Sequence, residues 1–231
     1  MLTKFSVLRR RADLDPAQFA RHWRTTHVHV LVDQAGHKAY NRRYVQNHFL
    51  HDAGIPGLSR DFDGAAQMLP PGDGVLARGF QDDPLYARFV RPDELLFLDV
   101  PACRVVYCDS LVLRADPQAA GVKLLEFTRR APGQSHAQFM QAWAGPQAQA
   151  LLALPGLRGL ALHEVRQEAL RGMAAGEPVD ARTAWDGVLE LRFATLEDLR
   201  AALADHPRPE DPLVMRFAAR EDLIYDDTAT R

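Results

Sequence analysis

Of the nine histidines in this 231-residue chain, six stand within the first 51 positions: His22, His27, His29, His37, His48 and His51. Imidazole is the side chain whose ordinary pKa lies nearest neutrality, so this density points to proton transfer in the N-terminal half. At about 100° per residue, Phe19, Trp23 and Val30 form one narrow helical stripe, with His27 at its border and His22 and His29 on another flank. Shielding from water beside Trp23 is expected to hold the His27 ring neutral, as a general base requires. A core-edge histidine that donates one hydrogen bond to packing is the bland alternative. Between Tyr44 and Phe49, alternation separates Tyr44, Gln46 and His48 from Val45, Asn47 and Phe49. The apolar set is expected to face helices. Tyr44, Gln46 and His48, with Lys4 and Ser6 of the first strand, are then expected inside the fold, where polar groups need a ligand or one another. A network with Glu126, Glu190 and Arg192 is the ligand-free alternative.

Other chemistries lack support. His27 and His29 are about 200° apart on a helix and cannot share an ion. His22 and His29, seven apart, share a face but point away from the expected cavity, and neither His-x3-His nor Cys-x2-Cys occurs, so no metal is expected. There is no Gly-x-Gly-x-x-Gly, P-loop or Gly-x-Ser-x-Gly, and no cofactor is expected. Cys103 and Cys108 are the only cysteines, and on one strand they face opposite ways, which disfavours a disulfide between them. A net charge of −2 without a dense basic run argues against nucleic acid or an anionic membrane as partner. No 18-residue apolar run and no signal-peptide pattern are present, so a cytoplasmic protein is expected.

The elements that position these residues repeat. At an offset of 120, Arg9-Arg10 falls on Arg129-Arg130, Ala17-Gln18-Phe19 on Ala137-Gln138-Phe139 and Trp23 on Trp143. With small shifts, Phe62-Asp63-Gly64 falls on Trp185-Asp186-Gly187, and Glu94 to Asp99 on Glu221 to Asp226. The pattern predicts a tandem duplication: units 1–114 and 122–231 joined by a linker at 115–121. In the first unit a strand over Leu2 to Arg10 leads to a helix capped by Asp13 or Asp15 and ending near Gly36. Strands at Tyr40 to Phe49 and Asp61 to Leu69, a helix at Pro84 to Val90 and a strand at Ala102 to Leu113 follow. The second unit repeats this order through Pro212 to Ala219, with Leu223 to Asp227 either a short last strand or an unfilled edge. Each unit is βαββαβ, so the expected class is α+β: two ferredoxin-like units packed sheet to sheet as an intramolecular barrel.

Phe19-x3-Trp23-x3-His27, Tyr44-Val45-Gln46-Asn47-His48, Phe62-Asp63-Gly64 and Glu94-x2-Phe97-x-Asp99 together resemble the EthD domain, of the dimeric α+β barrel superfamily. The resemblance weakens in the second unit, where Gln147 replaces His27. It implies a barrel with a small-molecule cavity, and the family's associations run from ether degradation to polyketide dehydration or cyclisation. Two functions follow as expectations. One is a cofactor-independent enzyme in which His27 or His48 moves a proton on an apolar small molecule bound by Trp23, Tyr44, Gln46, Asn47, Lys4, Ser6 and Asp63. The other is a non-catalytic carrier assisting an oxidase. The fused pair supplies a dimer within one chain, and a further homodimer is compatible with it.

Overall fold

The computed structural model describes residues 1–72, 79–116, 121–166, 171–173, 184–208 and 210–228. Of the expected linker, positions 117–120 lie outside the described residues. The first helical segment, α1 (residues 16–34), opens on a reciprocal cap: the Gln18 backbone N–H donates to the Asp15 side chain at 2.7 Å and the Asp15 N–H to the Gln18 side chain at 2.8 Å. Pro16, preset for helix and needing no donor, fills its first turn. A wide π turn at Trp23–His27 lies within it, and Gly36, at φ 65°, ends it.

The second helix, α2 (residues 84–97), runs seven residues beyond the expected Val90. A π turn at Tyr86–Val90 ends two residues before Pro92, and this widened stretch accommodates a ring that lacks an N–H and would otherwise stop the helix. In the second half, α3 (residues 136–152) repeats the design of α1, with a Ser135–Gln138 capping box and a π turn at Trp143–Gln147. The last helix is α4 (Leu196–Asp205). Among the described residues no helix is long and apolar enough to cross a membrane.

The strands are β1 (Leu2–Leu8), β2 (Arg43–Phe49), β3 (Gly64–Leu69), β4 (Arg104–Arg114), β5 (Val122–Thr128), β6 (Gly159–Val165), β7 (Arg171–Gly172), β8 (Gly187–Phe193) and β9 (Val214–Asp226). The first half orders them β4-β1-β3-β2 and the second β9-β5-β8-β6. In β4, residues 104–109 pair with β1 and residues 108–114 with β6 of the other half. In β9, residues 214–220 pair with β5 and residues 219–226 with β2. Eight antiparallel strands thus close into a barrel, and the short β7 hangs on β4. The class is α+β, as expected, with the two sheets hydrogen-bonded at both seams.

Two expectations are corrected. The last strand is neither short nor missing: Val214–Asp226 is one strand of 13 residues. The match of Glu94–Asp99 to Glu221–Asp226 is not a structural one, since Glu94 to Phe97 end α2 whereas Glu221 to Asp226 lie in β9. By register against β1 and β5, Arg104 corresponds instead to Met215, and Asp109 to Arg220.

The second correction concerns the faces. Phe5, Val7 and Phe49 point into the barrel with Phe62, Phe127, Trp185 and Phe217, where Phe49 stacks on Phe217 at 4.2 Å across a seam. Lys4, Ser6, Tyr44, Gln46 and His48 lie on the opposite, helix-covered face. A closed ring takes the larger apolar side chains inward and leaves its interior charges paired toward one open end. The other face is roofed by helices that bring polar partners of their own.

The Asp-Gly step is a packing device. Asp63 accepts the Arg10 backbone N–H at 2.9 Å, and Asp186 that of Arg130 at 2.8 Å. A Cβ on Gly64 would meet the Trp23 ring at 2.4 Å, and one on Gly187 the Trp143 ring at 2.6 Å. Each tryptophan therefore lies directly on backbone. Gly64→Ala is expected to cost about 1–3 kcal/mol in urea unfolding through overpacking; a variant with the wild-type midpoint contradicts this.

Candidate functional site

The helix α2 carries Tyr86, Val90, Asp93, Glu94 and Phe97 at helical spacing, and all five are buried. Two carboxylates therefore stand on an inward face. Asp93 reaches across to α1 with both oxygens, Oδ2 to Nδ1 of His27 at 2.6 Å and Oδ1 to Nε2 of His22 at 2.8 Å. Phe97 packs between the same rings, stacked on His22 at 4.7 Å and tilted against His27 at 5.0 Å. Burial pushes the Asp93 carboxyl upward, but its hydrogen bonds and charge contacts with His27 and His22 outweigh this and hold it below its ordinary value. A carboxylate there accepts, so the Nδ1–H of His27 donates and a neutral ring keeps its lone pair on Nε2.

His27 lines a cavity of about 40 Å³ between helices and sheet, together with Lys4, Ser6, Trp23, Tyr44 and Glu94. At about 10–15 Å³ per water, that space holds roughly three, enough for the reacting end of a molecule. The Nε2 of His27, the Ser6 hydroxyl and the Lys4 ammonium make no hydrogen bond to a described residue. The other polar walls are engaged. Tyr44 Oη accepts from the Trp23 indole at 3.1 Å and from Gln46 at 3.0 Å, and burial raises its pKa. Glu94 accepts from the Tyr86 hydroxyl at 2.7 Å and pairs with Arg91 at 2.9 Å. Burial still holds its carboxyl above the ordinary value, against the opposing pull of Arg91, His27, Tyr86 and Lys4. His37, also in the wall, spends both nitrogens, on Asn41 at 3.0 Å and Tyr225 at 2.7 Å.

The cavity thus brings together Lys4, Ser6, Trp23, His27 and Tyr44 from the sequence reading. It excludes the rest. Gln46 supports it from behind, donating to the Trp23 carbonyl at 2.9 Å. His48 lies against Trp23 at 4.5 Å between ring centroids and bonds Gln46 at 3.0 Å, outside the cavity wall. Asp63 serves the Arg10 backbone and His51. Asn47 points into the barrel and donates to Ala65 O at 3.0 Å. Asp93 is absent from the expected site residues, and Glu94, though part of the motif ending at Asp99, is not among them. Their signal is their place on the apolar stripe of α2, four and three residues before Phe97.

Two larger cavities differ in chemistry. One, of about 370 Å³, opens at the barrel end lined by Ser110, His163, Gln67, Glu190 and Arg192. Its charges are spent on one another: Glu190 and Glu221 bind Lys123, Arg192 binds both carboxylates, and Gln67 bonds Lys123 at 2.8 Å and Glu190 at 2.9 Å. This is the expected interior network, without the Lys4 face and without Glu126. The other, of about 380 Å³, is the second half's counterpart under α3, lined by Glu126, Trp143, Gln147, Arg208 and Arg216. There Glu126 replaces Ser6 and is gripped by Arg208 and Arg216 at 2.6 Å each. Gln147 stands where His27 does and offers no base.

No group of three or more His, Cys, Asp or Glu side chains is arranged to hold a metal among the described residues. His29 pairs with Asp33 at 2.7 Å rather than joining His22.

Residues 11–101 match the EthD domain. That span contains the whole of α1 and α2 and every histidine of the first half. The chain is similar in fold to an anthrone oxidase-like protein, at a TM-score of 0.65 and 9% identity, over 100% of this chain and 96% of that one. It is also similar to a chlorite dismutase variant from Candidatus Nitrospira defluvii, at a TM-score of 0.50 and 11% identity, over 96% and 91%. These are likenesses of the dimeric α+β barrel fold. No curated protein matches the sequence.

Burial pushes His37 down to about 3, with Lys4 and His27 adding to the effect. Burial and Arg24 take His48 down to about 4 against the pull of Asp222. Both rings are neutral when folded and take up a proton more readily when unfolded. Their stabilisation is complete above the unfolded value near 6.5 and is lost as pH falls toward the folded values. Urea unfolding is expected to weaken between about pH 6.5 and 4, with His37 accounting for on the order of 3 kcal/mol at the lower end. His48→Gln is expected to decline less steeply; a slope equal to wild type contradicts the assignment.

Proposed function

We propose that this protein is an EthD-like enzyme that works without a cofactor, with His27 moving a proton on a small, mostly apolar molecule at the first-half cavity. The observation that carries the reading is the 2.6 Å contact between Asp93 and the His27 Nδ1. With Nδ1 taken by Asp93, Nε2 is the ring nitrogen left for a molecule in the cavity that His27 lines, in keeping with a general base and its orienting carboxylate. Asp93 is a positioning residue, and Trp23, Tyr44 and Ser6 form the binding walls. His48 is left out of the chemistry because it lines no part of the cavity.

The reaction begins with loss of a proton from a weakly acidic C–H or O–H bond. Oxidation, dehydration and cyclisation all start this way. The EthD match and the fold likeness to an anthrone oxidase-like protein are in keeping with an oxidative outcome. Units 1–114 and 122–231 are read as a duplication in which only the first keeps a base. Paired capping boxes, π turns, Asp-Gly steps and tryptophans at equivalent places support that origin. A carrier role is the alternative, and the same test addresses it.

The test needs no known substrate. Nitromethane is a C-acid small enough for the cavity, and its proton exchange in heavy water is followed by proton NMR. Wild type is expected to accelerate exchange, with His27→Ala losing about 10²-fold or more and Asp93→Asn losing less. Equal exchange in wild type and His27→Ala, with circular dichroism unchanged, leaves the carrier reading in its place.

A further inference from the structure

Lys4 is 7% exposed, and its ammonium makes no ion pair or hydrogen bond with any described residue. The Tyr107 ring lies 5.7 Å away at the centroid, too distant to hold the charge, and Lys4 reaches the Glu94 carboxyl and the His37 ring only through longer-range charge effects. Other strongly buried cations of this chain are treated differently. Lys123 is held by Glu190 and Glu221, and Arg216 by Glu126. Glu94, a carboxylate of the same cavity wall, is instead bonded to Tyr86 and paired with Arg91. An ammonium without a protein hydrogen-bond partner, opening on water-sized space, is placed to meet an anionic oxygen that enters that space. That space is the cavity onto which His27 and Ser6 also open.

We infer that Lys4 is the counter-charge of an oxyanion subsite: the ligand places an oxygen bearing negative charge, a carboxylate or the enolate-type oxygen formed on deprotonation, against the Lys4 ammonium. The inference rests on the proposed site and deepens it by naming the ligand's chemistry. Removal of a proton by His27 leaves an electron pair that delocalises onto an adjacent oxygen, and the His27 ring becomes cationic. Lys4 stabilises that oxygen, and Ser6 stands ready to donate a second hydrogen bond. The balance is one C–H bond broken, one N–H bond formed and no change in redox state, with the proton returned in the reverse step. A fixed ammonium in a low-dielectric wall favours the charged product over its neutral parent, which is what a base near neutral pH needs against a weak carbon acid.

The probes are acetate, which always carries the charge, and acetamide, its neutral isostere. Each is titrated into the full-length protein while the Trp23 indole N–H resonance is followed. Wild type is expected to bind acetate about 10-fold or more tightly than acetamide, the scale of one charge-assisted hydrogen bond. Lys4→Met is expected to abolish that preference, and Lys4→Arg to keep it. An acetate preference that survives in Lys4→Met overturns the inference, as does the lack of any preference in wild type. The His27 reading stands apart from this result: acetate preference is expected to persist in His27→Ala, whereas nitromethane exchange is not. Exchange in Lys4→Met separates the two oxyanions. A fall there with His27 intact supports the enolate-type oxygen, and exchange at the wild-type rate with acetate preference lost supports the carboxylate.

Discussion

The closing of eight strands into one ring governs everything else in this molecule. Each strand of the ring is paired on both sides, and its middle is filled by aromatic side chains away from water. Closure depends on β4 and β9 being long enough to pair with their own half and then with the other. Once the ring is closed, Phe5, Phe49, Phe127 and Phe217 go inward. The alternate residues of the same strands, Lys4, Ser6, Tyr44 and Gln46, are thereby turned outward beneath the helices. The candidate site lies between helix and sheet because the barrel has taken the apolar face for itself.

What holds that outer layer in place is a pair of opposed fixings on α1. On the sheet side, Trp23 lies on the backbone of Gly64 and donates to Tyr44. On the helix side, Asp93 grips His22 and His27 with its two oxygens. The first fixing sets the height of α1 above the sheet, and the second sets the rotation of the His27 ring. The second half keeps the first device, with Trp143 over Gly187, but places Gln147 and an arginine-bound Glu126 in the corresponding space. One scaffold therefore frames two different sets of side chains, and a histidine stands at this place in the first half where the second has Gln147.

Much of this was legible in the residues. The alternation in Leu2 to Leu8, the Asp15–Gln18 cap and the matched Trp23 and Trp143 led to the βαββαβ order in each half. Alternation correctly separated Tyr44, Gln46 and His48 from Val45, Asn47 and Phe49. It could not say which set faced inward, because a strand covered on both sides has two buried faces, and the choice between them is made by ring closure far along the chain. Pro92 concealed the second half of α2, and with it the placement of Asp93 and Glu94. The likeness of Glu94–Asp99 to Glu221–Asp226 misled because helix and strand share an acidic and apolar composition there while differing in period. His48 stood in the right motif, yet burial against Trp23 and its bond to Gln46 keep it from the cavity.

The central claim is that Asp93 holds His27 in the tautomer whose Nε2 carries a free lone pair toward the cavity. Nitrogen NMR of the imidazole resonances at neutral pH, assigned with His27→Ala, tests this without a substrate. The account predicts that the neutral form of the His27 ring is the tautomer protonated at Nδ1, and that in Asp93→Asn this reverts to a tautomeric mixture. A His27 ring protonated at Nε2 in the wild-type protein, or one unaffected by Asp93→Asn, contradicts it.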